Sequence, residues 1–152
     1  MNHIDRIIFV AQSGTCREPM AMGIMQEFRL KVPAEILARG LVVQFSEPMN
    51  QKAEAVLISN GVNLEGFTAT QLSEEDITED TVIFTMERVH RDRLFETFSN
   101  VNPEHVFVLN EFVGDELEIL DPYGSPLASY GLCYETLRKT IKKLVKIINE
   151  GE

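Results

Sequence analysis

The residues best suited to chemistry stand close together near the start of the chain. Between Val10 and Pro19 runs Ala11-Gln12-Ser13-Gly14-Thr15-Cys16-Arg17-Glu18, small and polar at first, then charged. Backbone amides at a helix N-terminus lack partners and favour an anion. A guanidinium can grip two oxygens of a phosphate or carboxylate. If a helix starts here, Gln12, Ser13, Gly14, Thr15 and Cys16 offer N–H groups to an oxyanion and Arg17 offers the cation. An arginine that merely caps neighbouring carbonyls fits the same spacing, and the residues alone leave the two readings level. Cys16, beside Arg17 at a helix start, has a setting that lowers a thiol's pKa, although a small inert residue fits the position better. Ser13 has no His or Lys neighbour in sequence to activate its hydroxyl. Much later come Asp121 and Tyr123, on either side of Pro122, which by themselves read as a turn.

An anion loop needs a strand to deliver it and a helix to receive it. Ile7-Ile8-Phe9-Val10 within Ile4 to Ala11 reads as a strand buried on both faces of a parallel sheet. Gln12 to Thr15 form a turn, Pro19 suits the first helical position, and Met20, Ile24, Met25 and Phe28 make an apolar helical stripe. Glu35 to Ala38 form a second strand, with Leu41-Val42-Val43 as its extended continuation after Gly40. Pro48 opens a helix with Ala53, Val56 and Leu57 on its inner face, ended by Asn60-Gly61. Ser73 to Asp76 have capping-box spacing. Thr81 to Met86 form a third strand, followed by a charged helix through Arg88, Arg91 and Arg93 to Phe98. Val106 to Leu109 form a fourth strand. The last helix runs from about Pro126 to Ile148, with Tyr134, Leu137, Ile141, Leu144 and Ile148 on one face. Strand and helix alternate throughout, so the expected fold is α/β: a four-stranded parallel sheet with helices on both faces, in one domain spanning 1–152. In such a sheet ligands bind beyond the carboxyl ends of the strands, where the loop after Val10 lies.

Composition narrows the partners. With 14 basic against 24 acidic residues the net charge is −10, which repels nucleic acid and anionic membrane surfaces. Any bound anion must be held by local geometry. Two cysteines, Cys16 and Cys133, are too few for a disulfide framework or a zinc site. His3, His90 and His105 are scattered without ligand spacing, so neither a metal nor a cofactor is expected. The start of the chain lacks the look of a signal peptide and no run is long enough to span a bilayer, which makes the cytoplasm the default compartment.

The stretch Phe9 to Ala21 resembles the phosphatase loop of the low-molecular-weight protein-tyrosine phosphatases, which usually reads V-C-x-G-N-x-C-R-S-P-x-A. Asp121-Pro122-Tyr123-Gly124 is similar to that family's late D-P-[YF]-G segment. Between them, Thr85-Met86 followed by His90 sits like its M-T-x-x-H stretch, and Gln71-Leu72 like its R-Q-L. The likeness spans nearly the whole chain in order. It implies the family's fold and roles: Arg17 and the loop amides on the phosphoryl oxygens, Asp121 as general acid, Tyr123 as a cleft wall. The partner it implies is a phosphotyrosine protein or a small phosphate or sulfate anion.

The likeness also exposes what has changed. Ala11 stands where the family has its nucleophilic cysteine, and a methyl group cannot attack phosphorus. Nor is the change solitary. Gly14 replaces the loop asparagine, Glu18 the serine after the arginine, Ala38 the serine of an S-A-G triplet, and Phe67 the histidine before R-Q-L. In the family these polar residues hydrogen-bond to one another and brace the loop. Gly14 can keep the left-handed turn that asparagine often adopts. Glu18 is either a plain helix-start charge or an internal competitor for the anion's place. The expectation is a pseudophosphatase with a vestigial oxyanion site. The alternatives are a weak or altered phosphomonoester hydrolase using Asp121 and Arg17, and a non-catalytic interaction module.

Overall fold

A computed structural model describes residues 3–151. Met1, Asn2 and Glu152, which belong to the N-terminal reading and to the 1–152 span, lie outside the described residues. Four strands, β1 (Arg6–Ala11), β2 (Glu35–Gly40), β3 (Thr81–Thr85) and β4 (Val106–Val108), form one parallel sheet in the order β2-β1-β3-β4. Five helices accompany them: α1 (Arg17–Gln26), α2 (Gln51–Ser59), α3 (Arg88–Thr97), α4 (Leu109–Val113) and α5 (Leu127–Glu150). The expected four-stranded α/β fold is therefore present.

The order places β1 between β2 and β3, so the chain leaves it for one side and later returns on the other. That reversal makes the end of β1 a topological switch point, where the loops on either side part and leave a crevice. Strand periodicity then divides the core. Ile7, Phe9 and Ala11 join a large cluster on one face with residues of α1, α2 and α5. Ile8 and Val10 face a smaller cluster completed by Leu72, Ile83, Leu94 of α3 and Val106. Both faces are covered, one much more thickly than the other.

Several boundaries differ from expectation. Pro19 is the third residue of α1, not the first; the helix opens at Arg17 after Cys16. Its missing N–H still falls among first-turn amides that have no intrahelical partner, so the proline costs no bond. Pro48 does not open α2 but sits in an isolated bridge with Thr68. The helix is started instead by Asn50, whose Oδ1 accepts from the N–H groups of Lys52 at 2.9 Å and Ala53 at 3.1 Å. Leu41 to Val43 are not a strand. They run beside the anion loop, with Leu41 N–H donating to the Ala11 carbonyl at 2.9 Å and Val42 N–H to that of Gln12 at 3.0 Å. Leu109 does not belong to β4 but begins the short α4, which sequence reasoning missed and which Gly114 closes at φ 86°. Tyr134, Leu137, Ile141 and Leu144 of α5 are buried as expected, and Ile148 is partly buried. Among the described residues no helix is long and apolar enough to cross a membrane.

Candidate active site

The loop after β1 is held open by its neighbour strand. Gly14 has φ 78°, as a left-handed turn requires. A Cβ on Gly40 of β2 would lie 2.6 Å from the Gly14 nitrogen and 2.6 Å from the Ser13 carbonyl carbon, so only glycine lets β2 and the loop approach this closely. The Asn50 N–H fixes the far side by donating to the Thr15 carbonyl at 2.9 Å. Within the loop the Ser13 and Thr15 hydroxyls meet at 3.0 Å, and Gln12 Oε1 accepts from Arg93 at 2.9 Å.

What fills the loop is Glu18. The Gly14 N–H donates to Glu18 Oε2 at 2.6 Å, and the backbone amides of Cys16 and Glu18 favour its charged form. The side chain is 1% exposed. Burial raises its pKa above the usual carboxylate value, while the amide bonds and the Arg17 charge act the other way. Of the two readings of Glu18, the competitor is the one that matches this geometry: the side chain curls back and takes amides of the loop. Ala11, at the end of β1, is 1% exposed and belongs to the larger core cluster.

Arg17 is turned elsewhere. Its guanidinium, 3% exposed, donates through one nitrogen to Glu87 Oε2 and to the Ile119 carbonyl, both at 2.6 Å. Its other terminal nitrogen lies 3.8 Å from Asp121 Oδ2. It thus ties α1, the start of α3 and the segment before Asp121 together, and brings Arg17 and Asp121 within one site. Asp121 is exposed, and its Oδ1 accepts from the Tyr123 N–H at 3.0 Å, a local turn bond. Tyr123 and Phe45 are exposed and available as walls. Glu87 was not foreseen. Its signal was faint: it stands three residues before His90, and its side chain and that of His90 cap the start of α3 reciprocally.

Both thiols are buried and held toward the neutral form. Burial pushes the Cys16 thiol far up, reinforced by Cys133, Glu18 and Asp121 and only partly opposed by Arg17. Burial likewise pushes Cys133 up to about 11. The helix-start setting that favours a thiolate at Cys16 is overridden. His90 is buried, accepts from the Glu87 N–H at 3.1 Å, and is lowered to about 4 by burial and by Arg17. The one cluster among the described residues that could ligate a metal is His3, Asp5 and Asp80, an exposed group at the opposite end of the sheet from the loop.

A parallel sheet with an amide-lined loop at its switch point, followed by a helix that opens on arginine, defines a phosphatase-type α/β protein. Residues 6–152 match the model of the low molecular weight phosphotyrosine protein phosphatases, and the chain belongs to that family. It is 32% identical over 143 residues to the low molecular weight protein-tyrosine-phosphatase PtpB of Staphylococcus aureus, covering 94% of this chain and 99% of that one. It is 29% identical to a protein-arginine-phosphatase of Geobacillus stearothermophilus, covering 93% of this chain and 94% of the relative. Among solved structures, the YwlE arginine phosphatase from Geobacillus stearothermophilus superposes with a TM-score of 0.88 at 28% identity, covering 96% and 94% of the two chains. A low molecular weight protein tyrosine phosphatase from T. tengcongensis gives 0.87 at 31% identity, covering 94% and 99%.

Proposed function

We propose that this chain is a pseudophosphatase: a member of the family that cannot form a covalent phosphocysteine and works by binding. The observation that carries the reading is the buried Glu18 carboxylate seated on the Gly14 amide of the loop that follows Ala11. A covalent route needs a nucleophile at the base of the loop, free amides and a cation for the transferring oxygens, and an acid for the leaving group. Here the first is a methyl group and the amides hold a carboxylate. The cation is engaged by Glu87 and Ile119, and the acid alone stands ready. Losing the nucleophile of a covalent mechanism costs on the order of 10⁶-fold in rate, by analogy with a serine protease.

In this reading the former cleft, with Arg17, Gln12 to Cys16 and Tyr123 about it, is a binding surface. A phosphate, a sulfate or a phosphotyrosine protein enters only by displacing Glu18. Binding of this kind needs no cofactor, and a cytoplasmic setting keeps both thiols reduced. The test is turnover of p-nitrophenyl phosphate alongside calorimetry with phosphate. The expected result is no turnover above a blank and weak or absent phosphate binding. Turnover that disappears in Asp121→Asn would overturn the reading in favour of hydrolysis by water, activated by Asp121 and steered by Arg17.

A further inference from the structure

An open cavity of about 1010 Å³ lies between residues 114–126 and the first turns of α5. It is distinct from the anion loop, none of whose residues line it. Three of its leucines project into solvent: Leu117 is 81% exposed, Leu120 75% and Leu132 65%. Buried Ile119 and Cys133 lie between them. So much leucine surface left uncovered on one side of a protein marks a place where something else sits.

The exposure is built in, because the segment that carries it is pinned. The Ile119 carbonyl is taken by Arg17 at 2.6 Å, and the Leu120 carbonyl faces the Cys133 sulfur at 3.9 Å. Glu118 Oε2 accepts from the Arg88 N–H at 2.6 Å, and Asp115 is paired with Lys143 at 2.6 Å. These contacts hold the leucines outward on a fixed backbone, which lowers the ordering cost of binding.

The rim is acidic. Glu111, Asp115, Glu116, Glu118 and Asp121 all line the cavity, against one lining cation, Arg88. Arg88, Lys143 and Arg17 pair with Glu111, Asp115 and Asp121. That leaves Glu116 and Glu118 without a cationic partner among the described residues. Apolar and acidic side chains are interleaved along Glu116-Leu117-Glu118-Ile119-Leu120-Asp121, so any occupant meets both at once.

We propose that this groove receives a short segment of a partner protein that carries apolar side chains flanked by arginine or lysine. The leucines supply the burial, and the rim selects cations and rejects acidic competitors. The proposal stands apart from the state of the anion loop and survives if that loop is found to be catalytic.

The experiment is a titration of the ¹⁵N-labelled chain with a short synthetic peptide of leucine and lysine, compared with its leucine–glutamate counterpart. Saturable shifts confined to the amides around Leu117, Leu120 and Leu132 are expected with the lysine peptide and none with the glutamate one. Leu120→Asp and Leu132→Asp change exposed positions, so both variants keep the fold, and each should weaken binding by roughly tenfold or more. Glu116→Lys should weaken it as well. Each Asp also makes the chain more acidic, so unspecific attraction predicts equal or tighter binding in those two variants, and that result overturns the proposal. So do shifts scattered over the whole surface. A concentration-dependent dimer in sedimentation that Leu132→Asp abolishes assigns the groove to a second copy of this chain and also overturns it.

Discussion

Two parts of the candidate site stand in different surroundings. The loop from Ala11 to Glu18 is buried at both ends, and its Gly14 amide is taken by the loop's own Glu18 carboxylate. The turn from Asp121 to Gly124 is exposed except at Pro122, with Asp121 accepting from the Tyr123 N–H and lying 3.8 Å from Arg17. The difference follows from burial. A carboxylate or thiolate placed in the loop must be satisfied or removed, because an unpaired charge there is expensive. An aspartate in open solvent costs nothing to keep. On the proposed reading, buried machinery has to be rebuilt when its reaction goes, whereas exposed machinery can persist.

The largest test of this contrast restores the loop. In Ala11→Cys/Glu18→Ser, p-nitrophenyl phosphate turnover should rise by on the order of 10³-fold or more over the parent. Ala11→Cys alone should stay near baseline, because Glu18 still holds the Gly14 amide. Equal turnover in the single and double variants would remove Glu18 from the account.

Next in size, acidification should act on the two buried titratable groups in opposite directions. His90 has a folded value of about 4 against 6.5 in the unfolded chain. Between those values the unfolded chain binds more protons, so its contribution is present above 6.5 and lost as pH falls to 4. The amount is about 3 kcal/mol. Glu18 is raised above 4.5, so in its window the folded chain holds the extra proton, and its contribution falls as pH rises. Denaturation curves for His90→Gln should lose the decline below pH 6.5, whereas Glu18→Gln should steepen it. A flat parent profile across that range would mean that neither group is held as described.

A smaller effect is expected from emptying the loop without rearming it. Glu18→Ser should gain a sulfate-dependent thermal shift corresponding to about 1–3 kcal/mol at saturating sulfate, while the parent shows none. A parent that responds equally would show that the carboxylate is no barrier. The smallest effect belongs to the turn. Asp121→Asn keeps an acceptor for the Tyr123 N–H, so stability should change by no more than about 0.5 kcal/mol in urea denaturation. A loss several times larger would mean that the turn is structurally engaged after all.

Much of this was legible in the residues. Ile7 to Val10 could only be a doubly buried strand, the stripe of α5 is long and regular, and the two motifs fixed the family and the oddity of Ala11. The errors share a cause. Asn50 starts α2 through a side chain, so the more conspicuous Pro48 drew the boundary. Leu109 follows Val108 with no polar break, so α4 merged with β4. The destination of Glu18 depends on where the loop amides aim, which no local pattern encodes. The partners of Arg17, Glu87 and the Ile119 carbonyl, lie 70 and 102 residues away in the chain, and nothing in their own neighbourhoods marks them.

The close approach of Gly40 to Ser13 and Gly14 has a consequence for how such a chain can drift. The mould of the anion loop is cast by the adjoining strand, not by whatever the loop once gripped. Substitutions inside the mould therefore leave its outline standing, whatever chemistry the loop performs.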